Sequence, residues 1–174
     1  MDRRFPIGKF EYVGTISKQL RDIWIKEIDE MPVKLREAVK DLSDEQLDLV
    51  YREGGWTLRQ VVHHLADSHM NSFIRFKLAL TEDAPTIKPY REDCWAELHD
   101  SVNTDINLSL LLLEALHKKW VVLLASMTAS DFEKQFYHPE SLEPIRLDYN
   151  LGLYAWHGKH HIAQITTLRN SLNI

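Results

Sequence analysis

The chain has 174 residues, 44% of them apolar, and a formal net charge of −5 at pH 7. We therefore expect one domain over residues 1–174 with a sizeable core, and we exclude an intrinsically disordered chain. The negative charge argues against a nucleic-acid partner, and no apolar run is long enough to span a bilayer. Since Cys94 is the only cysteine, no intramolecular disulfide can form, and with no leader peptide evident we expect a cytoplasmic protein.

The first half of the chain predicts an extended arm and three helices. Residues 1 to about 14 hold glycine, proline and aromatic residues and predict an arm laid over the core. A helical apolar period covers residues 15 to about 40, and Pro32 inside it predicts a kink or a short break. Capping-box patterns begin at Ser43 and at Thr57. The first predicts a short helix ending near residue 51, and the second predicts a helix to about residue 80.

The second half predicts a long crossover followed by two more long helices. Residues 81 to about 100 are too many for a tight antiparallel turn. A leucine-rich helix is predicted from about 101 to 127, a further capping-box pattern occupies Ser130-Asp131-Phe132-Glu133, and the last helix is predicted from about 147 to 170. No segment shows convincing β-alternation. The chain is thus predicted to be all-α, a four-helix bundle of up-down helix pairs joined by a long crossover.

Two histidine clusters give the strongest functional signal. His157 and His161 stand one turn apart on the last helix, so their imidazoles could bind one metal ion. His157 and His160, three residues apart, form the alternative pair. On the second long helix, periodicity places His69 near the centre of the apolar stripe and therefore favours it. His64 lies on a polar flank, which can equally face a wet cavity between helices.

Three neutral histidines without a thiolate predict zinc, nickel or a similar divalent ion with open coordination positions. Such an ion can lower the pKa of bound water for hydrolysis, or bind a substrate thiol for thiol transfer. The residues themselves favour neither reaction. Asp67 and Gln164 are candidates for orienting the imidazoles, and Gln164 is the better one because it shares a helix face with His157. Tyr90 and Trp95, on the crossover, are candidates for a pocket mouth.

Three segments carry a family resemblance: Gly54–Met70 (GGWTLRQVVHHLADSHM), Pro85–Tyr90 (PTIKPY) and Tyr154–His161 (YAWHGKHH). With them, nearly the whole chain resembles the YfiT family of the DinB-like superfamily. Its members are cytoplasmic, homodimeric four-helix bundles described as metal-dependent hydrolases, which bind zinc or nickel through three histidines.

The resemblance implies that one divalent ion per subunit is bound by His64, His157 and His161. It overrules the periodicity that favours His69, and it leaves His160 as a surface or outer-layer residue. It also implies a small-molecule substrate and a homodimer, while the charge and the short apolar runs already argue against nucleic acid and membrane as partners. Some relatives resemble S-transferases that use bacillithiol or related low-molecular-weight thiols. Transfer of such a thiol to an electrophile is therefore the alternative to hydrolysis, and a non-catalytic metal-binding bundle is the third hypothesis.

Overall fold

Four long helices build the fold: α1 (Lys18–Val39), α3 (Leu58–Thr81), α6 (Ile106–Ser126) and α8 (Leu147–Leu172). The structure is a computed structural model that describes residues 2–141 and 143–174. Shorter helices lie between the long ones: α2 (Asp44–Leu47), α4 (Glu92–Trp95), α5 (His99–Val102) and α7 (Ala129–Glu133). Two strands of two residues each, β1 (Gln135–Phe136) and β2 (Ile145–Arg146), pair antiparallel. In the described part of the chain, no helix combines the length and apolar character needed to cross a membrane.

The long helices form a square in which α1 and α3 occupy opposite corners, since each of them packs against both α6 and α8. Side-chain contacts give the helix directions. Residue numbers rise together in the α1–α8 contacts Trp24–Gly152 and Met31–Gly158. They also rise together in the α3–α6 contacts His63–Ser109 and Phe76–Trp120. They run in opposite senses in the α3–α8 contacts Ser72–Asn150 and His64–His157.

The directions are therefore up, down, down and up along the chain. The long connection from α3 to α6 joins two parallel helices and must return along the length of the bundle. This confirms the predicted four-helix bundle with a long crossover.

The capping boxes place two helix starts where the sequence predicts them. Ser43 with Gln46 caps α2, and Thr57 with Gln60 caps α3, with both reciprocal hydrogen bonds formed in each case. The third predicted box is shifted, because Thr128 caps α7 and Asp131 returns the bond. The two reciprocal hydrogen bonds therefore satisfy the N–H groups of Thr128 and Asp131, two residues earlier than the box predicted from Ser130.

Of the kink or short break predicted at Pro32, the break is wrong, because α1 continues through this residue. Proline has no N–H, so the usual helical hydrogen bond to the carbonyl of Ile28 cannot form. That carbonyl contacts Nδ1 of His117, on α6, at 2.5 Å instead. A hydrogen bond from a neighbouring helix thus satisfies the carbonyl that the proline leaves free.

Two other predictions need correction. The helix predicted from about residue 101 is divided into α5 and α6, and Asp105 caps α6 by accepting the N–H of Asn107 at 2.9 Å. The expectation of no β-structure is wrong at β1 and β2, which pair the two ends of a proline-containing loop, and single β-bridges also join Val50 to Thr57 and Thr86 to Tyr137. Strands this short leave no alternating pattern to read in the sequence.

A layer of buried polar side chains divides the core into two apolar clusters. One cluster includes Leu35, Leu65, Leu113 and Ile165, and the other includes Ile28, Phe76, Trp120 and Leu151. On each long helix the boundary between the clusters falls at the same level. Histidines occupy that level on three helices: His69 on α3, His117 on α6, and His157 to His161 on α8.

Two peripheral features fasten the ends of the bundle. Arg59 is only 6% exposed, and it contacts the carboxylates of Asp48 at 2.8 Å and Asp44 at 2.9 Å. It also donates to the carbonyl of Thr104, so it ties α3 both to α2 and to the segment before α6. At the other end, Phe10 of the N-terminal segment packs against Trp24.

Candidate metal centre

Three histidines from two helices bring their Nε2 atoms together inside the bundle. Nε2 of His157 lies 3.3 Å from Nε2 of His64, on α3, and 3.2 Å from Nε2 of His161, one turn further along α8. One donor nitrogen from each of the three lies within 4.8 Å of the other two. The structure therefore brings together all three residues named by the family resemblance, with their ring nitrogens directed at a common point.

Gln164 determines which ring nitrogen of His161 carries the proton. The amide nitrogen of Gln164 donates to the carbonyl oxygen of Arg4 at 3.1 Å, which fixes the orientation of the amide. Its Oε1 must then accept a hydrogen bond from Nδ1–H of His161, 2.8 Å away. A neutral imidazole carries one proton, so Nε2 of His161 is left with a free lone pair. The expected hydrogen bond between Gln164 and an imidazole of the cluster is present, although its partner is His161 rather than His157.

Burial keeps the three rings neutral. It lowers the pKa of His64 to about 4. Burial first, and neighbouring imidazoles second, hold the pKa values of His157 and His161 well below the usual value. Metal coordination requires neutral imidazole, so these rings can act as ligands at neutral pH without first losing a proton.

A pocket of about 430 Å³ lies beside the three-histidine cluster. His157 lines it together with three hydroxyl-bearing side chains, those of Ser68, Tyr90 and Tyr154, and with charged residues that include Arg75. The sequence-based expectation that Tyr90 lines a pocket is confirmed. Trp95 lines an adjoining space of about 250 Å³ that shares Tyr90 with this pocket and has no histidine in its lining.

Three other candidate residues, His69, His160 and Asp67, lie outside the group of three converging Nε2 atoms. His69, favoured by periodicity, is fully buried and contacts Nδ1 of His157 through its Nε2 at 3.2 Å. His160 is 6% exposed, so of its two expected positions the surface one is wrong. Its Nε2 lies 3.0 Å from Nε2 of Gln164, which contacts His161, so it has the outer-layer position, and its ring stacks on Trp156 with centroids 4.6 Å apart. Asp67 makes no hydrogen bond to these histidines within residues 2–141 and 143–174. Burial, helped by the charge of a second aspartate, raises the pKa of Asp67 to about 6.

His117 was missed by reasoning from the sequence. It is 1% exposed, and its Nε2 lies 2.9 Å from Nδ1 of His69. Its position gives a usable signal, because it falls between Leu113 and Trp120 on the buried stripe of α6. A polar residue on an apolar stripe must find a buried hydrogen-bond partner, and that requirement points to this layer.

Comparison with known proteins shows similarity over the whole length of the chain. A sequence profile of the DinB superfamily matches residues 27–165. A protein of Bacillus mycoides strain KBAB4, named "putative metal-dependent hydrolase", is 59% identical over 172 residues, covering 99% of this chain and 98% of its own. A Bacillus cereus strain ATCC 10987 protein of the same name is 58% identical with the same coverage.

A solved structure shows the same similarity in three dimensions. YfiT from Bacillus subtilis is 51% identical to this chain and superimposes with a TM-score of 0.97 over 99% of both chains. That protein is described as a probable metal-dependent hydrolase with an unusual four-helix bundle topology. In this chain the four long helices run up, down, down and up, and the superposition with YfiT includes all four of them.

Proposed function

Because the chain belongs to the DinB superfamily, we propose that it is a metal-dependent hydrolase whose divalent ion is bound by His64, His157 and His161. Zinc is the ion we propose first, and nickel is the second choice. The observation that carries the proposal is the convergence of three neutral imidazoles from two helices, those of His64 and His161 buried and that of His157 partly buried. Three nitrogen ligands satisfy part of a coordination sphere and leave room for a substrate.

The donor set fits a borderline-soft divalent ion, since it contains imidazole nitrogens and neither thiolate nor carboxylate. When bound, such an ion supplies Lewis-acid chemistry that lowers the pKa of water or of a thiol. The residues of the chain would then bind and orient the substrate. The hydroxyls of Ser68, Tyr90 and Tyr154 line the pocket beside His157, and Arg75 offers a cationic group there. The volume of about 430 Å³ suits a small molecule.

Metal analysis tests the ligand assignment directly. We expect about one equivalent of zinc or nickel per chain in the purified protein, measured by elemental analysis against protein concentration. His64→Ala, His157→Ala and His161→Ala should each lose the ion. His99→Ala, at an exposed histidine, should retain it. Wild-type protein that takes up neither zinc nor nickel would exclude the enzyme hypotheses, and a His161→Ala variant with full metal content would exclude the ligand set.

A paired activity assay separates hydrolysis from thiol transfer. The metal-loaded protein is incubated with activated esters and amides, and separately with a model electrophile and a low-molecular-weight thiol such as bacillithiol. Hydrolysis of the esters or amides that needs the metal and no thiol supports the proposal. Conjugation that needs both thiol and metal makes the S-transferase the function instead. A stoichiometric metal complex that is inactive in both assays favours the non-catalytic bundle.

We also propose that the protein is a homodimer, as the family resemblance implies. Helix α6 carries an exposed apolar row that includes Leu108, Leu111, Leu112 and Val122, which are 63%, 57%, 43% and 71% exposed. Exposed apolar patches of this kind mark protein–protein contacts. Light scattering coupled to gel filtration should give twice the chain mass for the wild type and the chain mass for Leu111→Lys/Leu112→Lys. A wild-type monomer would contradict this proposal.

A further inference from the structure

We propose that His69 and His117 are positioning residues that fix the ring tautomer of His157 and so direct its Nε2 lone pair at the metal site. The inference rests on the proposed function, since it concerns a ligand of that site. It follows from a chain of contacts that crosses the bundle from α1 through α6 and α3 to α8.

The first contact of this series involves the carbonyl of Ile28, on α1. Pro32 has no N–H to donate to it, and Nδ1 of His117 lies 2.5 Å away. A carbonyl oxygen can only accept a hydrogen bond, so the proton of this contact must be on Nδ1 of His117. The backbone therefore determines the tautomer of the first imidazole.

The second step passes to His69. The ring of His117 is 1% exposed and burial lowers its pKa to about 4, so it is neutral and its Nε2 has no proton. Nε2 must accept from Nδ1 of His69, which lies at 2.9 Å. His69 is wholly buried, and among residues 2–141 and 143–174 its ring nitrogens form hydrogen-bond contacts only with other imidazole nitrogens. Since none of these described residues places an anion at its ring nitrogens to stabilise a positive charge, His69 is neutral too.

The third step reaches the metal site. A neutral His69 that donates through Nδ1 must accept through Nε2, and its partner at 3.2 Å is Nδ1 of His157. His157 is therefore protonated on Nδ1, and the lone pair of its Nε2 faces the Nε2 atoms of His64 and His161. The opposite tautomer would place an N–H where a cation has to bind. Gln164 does the same for His161, so both ligands on α8 are oriented by a buried acceptor.

Packing against neighbouring rings holds the imidazoles of His69 and His117 in this arrangement. The rings of His69 and His117 stack with centroids 4.9 Å apart and planes 18° apart, while Trp120 and Tyr154 contact His69 edge-on. Buried side chains packed on several sides keep one rotamer. The orientation is therefore set before any ion binds, and preorganised ligands bind metal more tightly than free ones.

The first test measures the tautomer itself in metal-free wild-type protein. Long-range proton–nitrogen NMR of ¹⁵N-histidine-labelled protein, prepared with a chelator at neutral pH, distinguishes Nδ1–H from Nε2–H on each ring. We expect Nδ1–H on His117, His69 and His157. An Nε2–H tautomer or an imidazolium at His157 would overturn the inference. This reading needs neither a variant nor a bound ion, so it is separate from any failure of the wild type to take up metal.

The second test measures zinc affinity by competition with a chromophoric chelator. His69→Phe keeps a ring but removes the acceptor, and we expect a loss of about 10- to 100-fold in affinity. His117→Leu should weaken binding in the same direction. His117→Gln can still donate to Ile28 and accept from His69, so it should bind zinc more tightly than His117→Leu.

His63→Gln is the matched control, because His63 is a buried histidine on α3 whose ring contacts Ser109 and Thr104 instead. It should bind zinc as the wild type does. Circular dichroism identifies variants that are folded, and the affinity comparison uses those. Unchanged zinc affinity in folded His69→Phe would overturn the inference, as would an equal loss in His63→Gln.

Discussion

Acidification should lower the free energy of unfolding of the metal-free protein more than the titration of its surface groups alone would. The reason is that the histidines of the buried layer are neutral in the folded state. A histidine whose pKa is depressed by folding contributes fully to stability above its unfolded pKa. The contribution is lost as pH falls towards the folded pKa, because the unfolded chain then binds more protons. For His117 the pKa falls from 6.5 to about 4 on folding, and His64 behaves alike. The loss should therefore lie between these two pH values.

The size of the effect follows from the shift. At about pH 5, one histidine with these two pKa values lowers the free energy of unfolding by roughly 2 kcal/mol relative to neutral pH. His64 and His117 together would remove roughly 4 kcal/mol, and the other buried histidines act in the same direction. Asp67, whose pKa is raised, acts in the opposite direction. A typical domain has a free energy of unfolding of only about 5–15 kcal/mol, so the metal-free fold should be marginal at this pH.

The assay is urea unfolding followed by circular dichroism, with a chelator present, at about pH 7.5 and about pH 5. The informative quantity is the difference between wild type and His117→Gln, because groups common to both cancel in it. The variant should lose roughly 2 kcal/mol less on acidification than the wild type. His99→Gln changes an exposed histidine and should behave as the wild type. Equal pH dependence in wild type and His117→Gln would refute the burial argument.

Three further variants test other parts of the structure. A Cβ at Gly152 would lie 2.7 Å from the ring of Trp24, so Gly152→Ala should lower the free energy of unfolding by about 1–2 kcal/mol despite its better helix propensity, as measured by urea unfolding. Gln164→Leu should weaken zinc binding about 10- to 100-fold in a chelator competition by leaving His161 without its acceptor, whereas Gln164→Glu should weaken it less. Arg59→Leu should lower the thermal midpoint by a few degrees, a loss of about 1–2 kcal/mol, because it removes the hydrogen bonds of a buried guanidinium to two solvent-exposed aspartates and a carbonyl. A neutral result for any of these would contradict the corresponding contact.

The bundle could be predicted from the sequence because local signals and the apolar period agree with each other. The capping boxes at Ser43 and Thr57 place two helix starts correctly, and the 3.6-residue period identifies all four long helices. The prediction fails where a local rule is overridden from a distance. The hydrogen bond that replaces the one lost at Pro32 comes from α6, about ninety residues away along the chain. The sequence around Pro32 contains no signal that predicts this contact.

For the same reason, only part of the candidate site could be predicted from the sequence. The spacing of His157 and His161 places them on one face of a helix wherever that helix lies. Choosing between His64 and His69 requires knowing which neighbour each faces, and the periodicity of α3 alone selects His69. The structure explains that result, because His69 does point into the core, where it contacts His157 rather than the common point of the three Nε2 atoms. The family resemblance, which carries information about the packed fold, names His64.

Pro32 illustrates why a residue that looks unfavourable locally can be consistent with the whole fold. In an isolated helix it removes a hydrogen bond and leaves the carbonyl of Ile28 without a partner, at a cost of about 3 kcal/mol. Here that free carbonyl is the acceptor that determines the tautomer of His117, and through His69 it determines the tautomer of His157. An ordinary residue at position 32 would offer the carbonyl a competing N–H. The proline in α1 and the proposed metal ligand on α8 are therefore parts of one hydrogen-bonded arrangement.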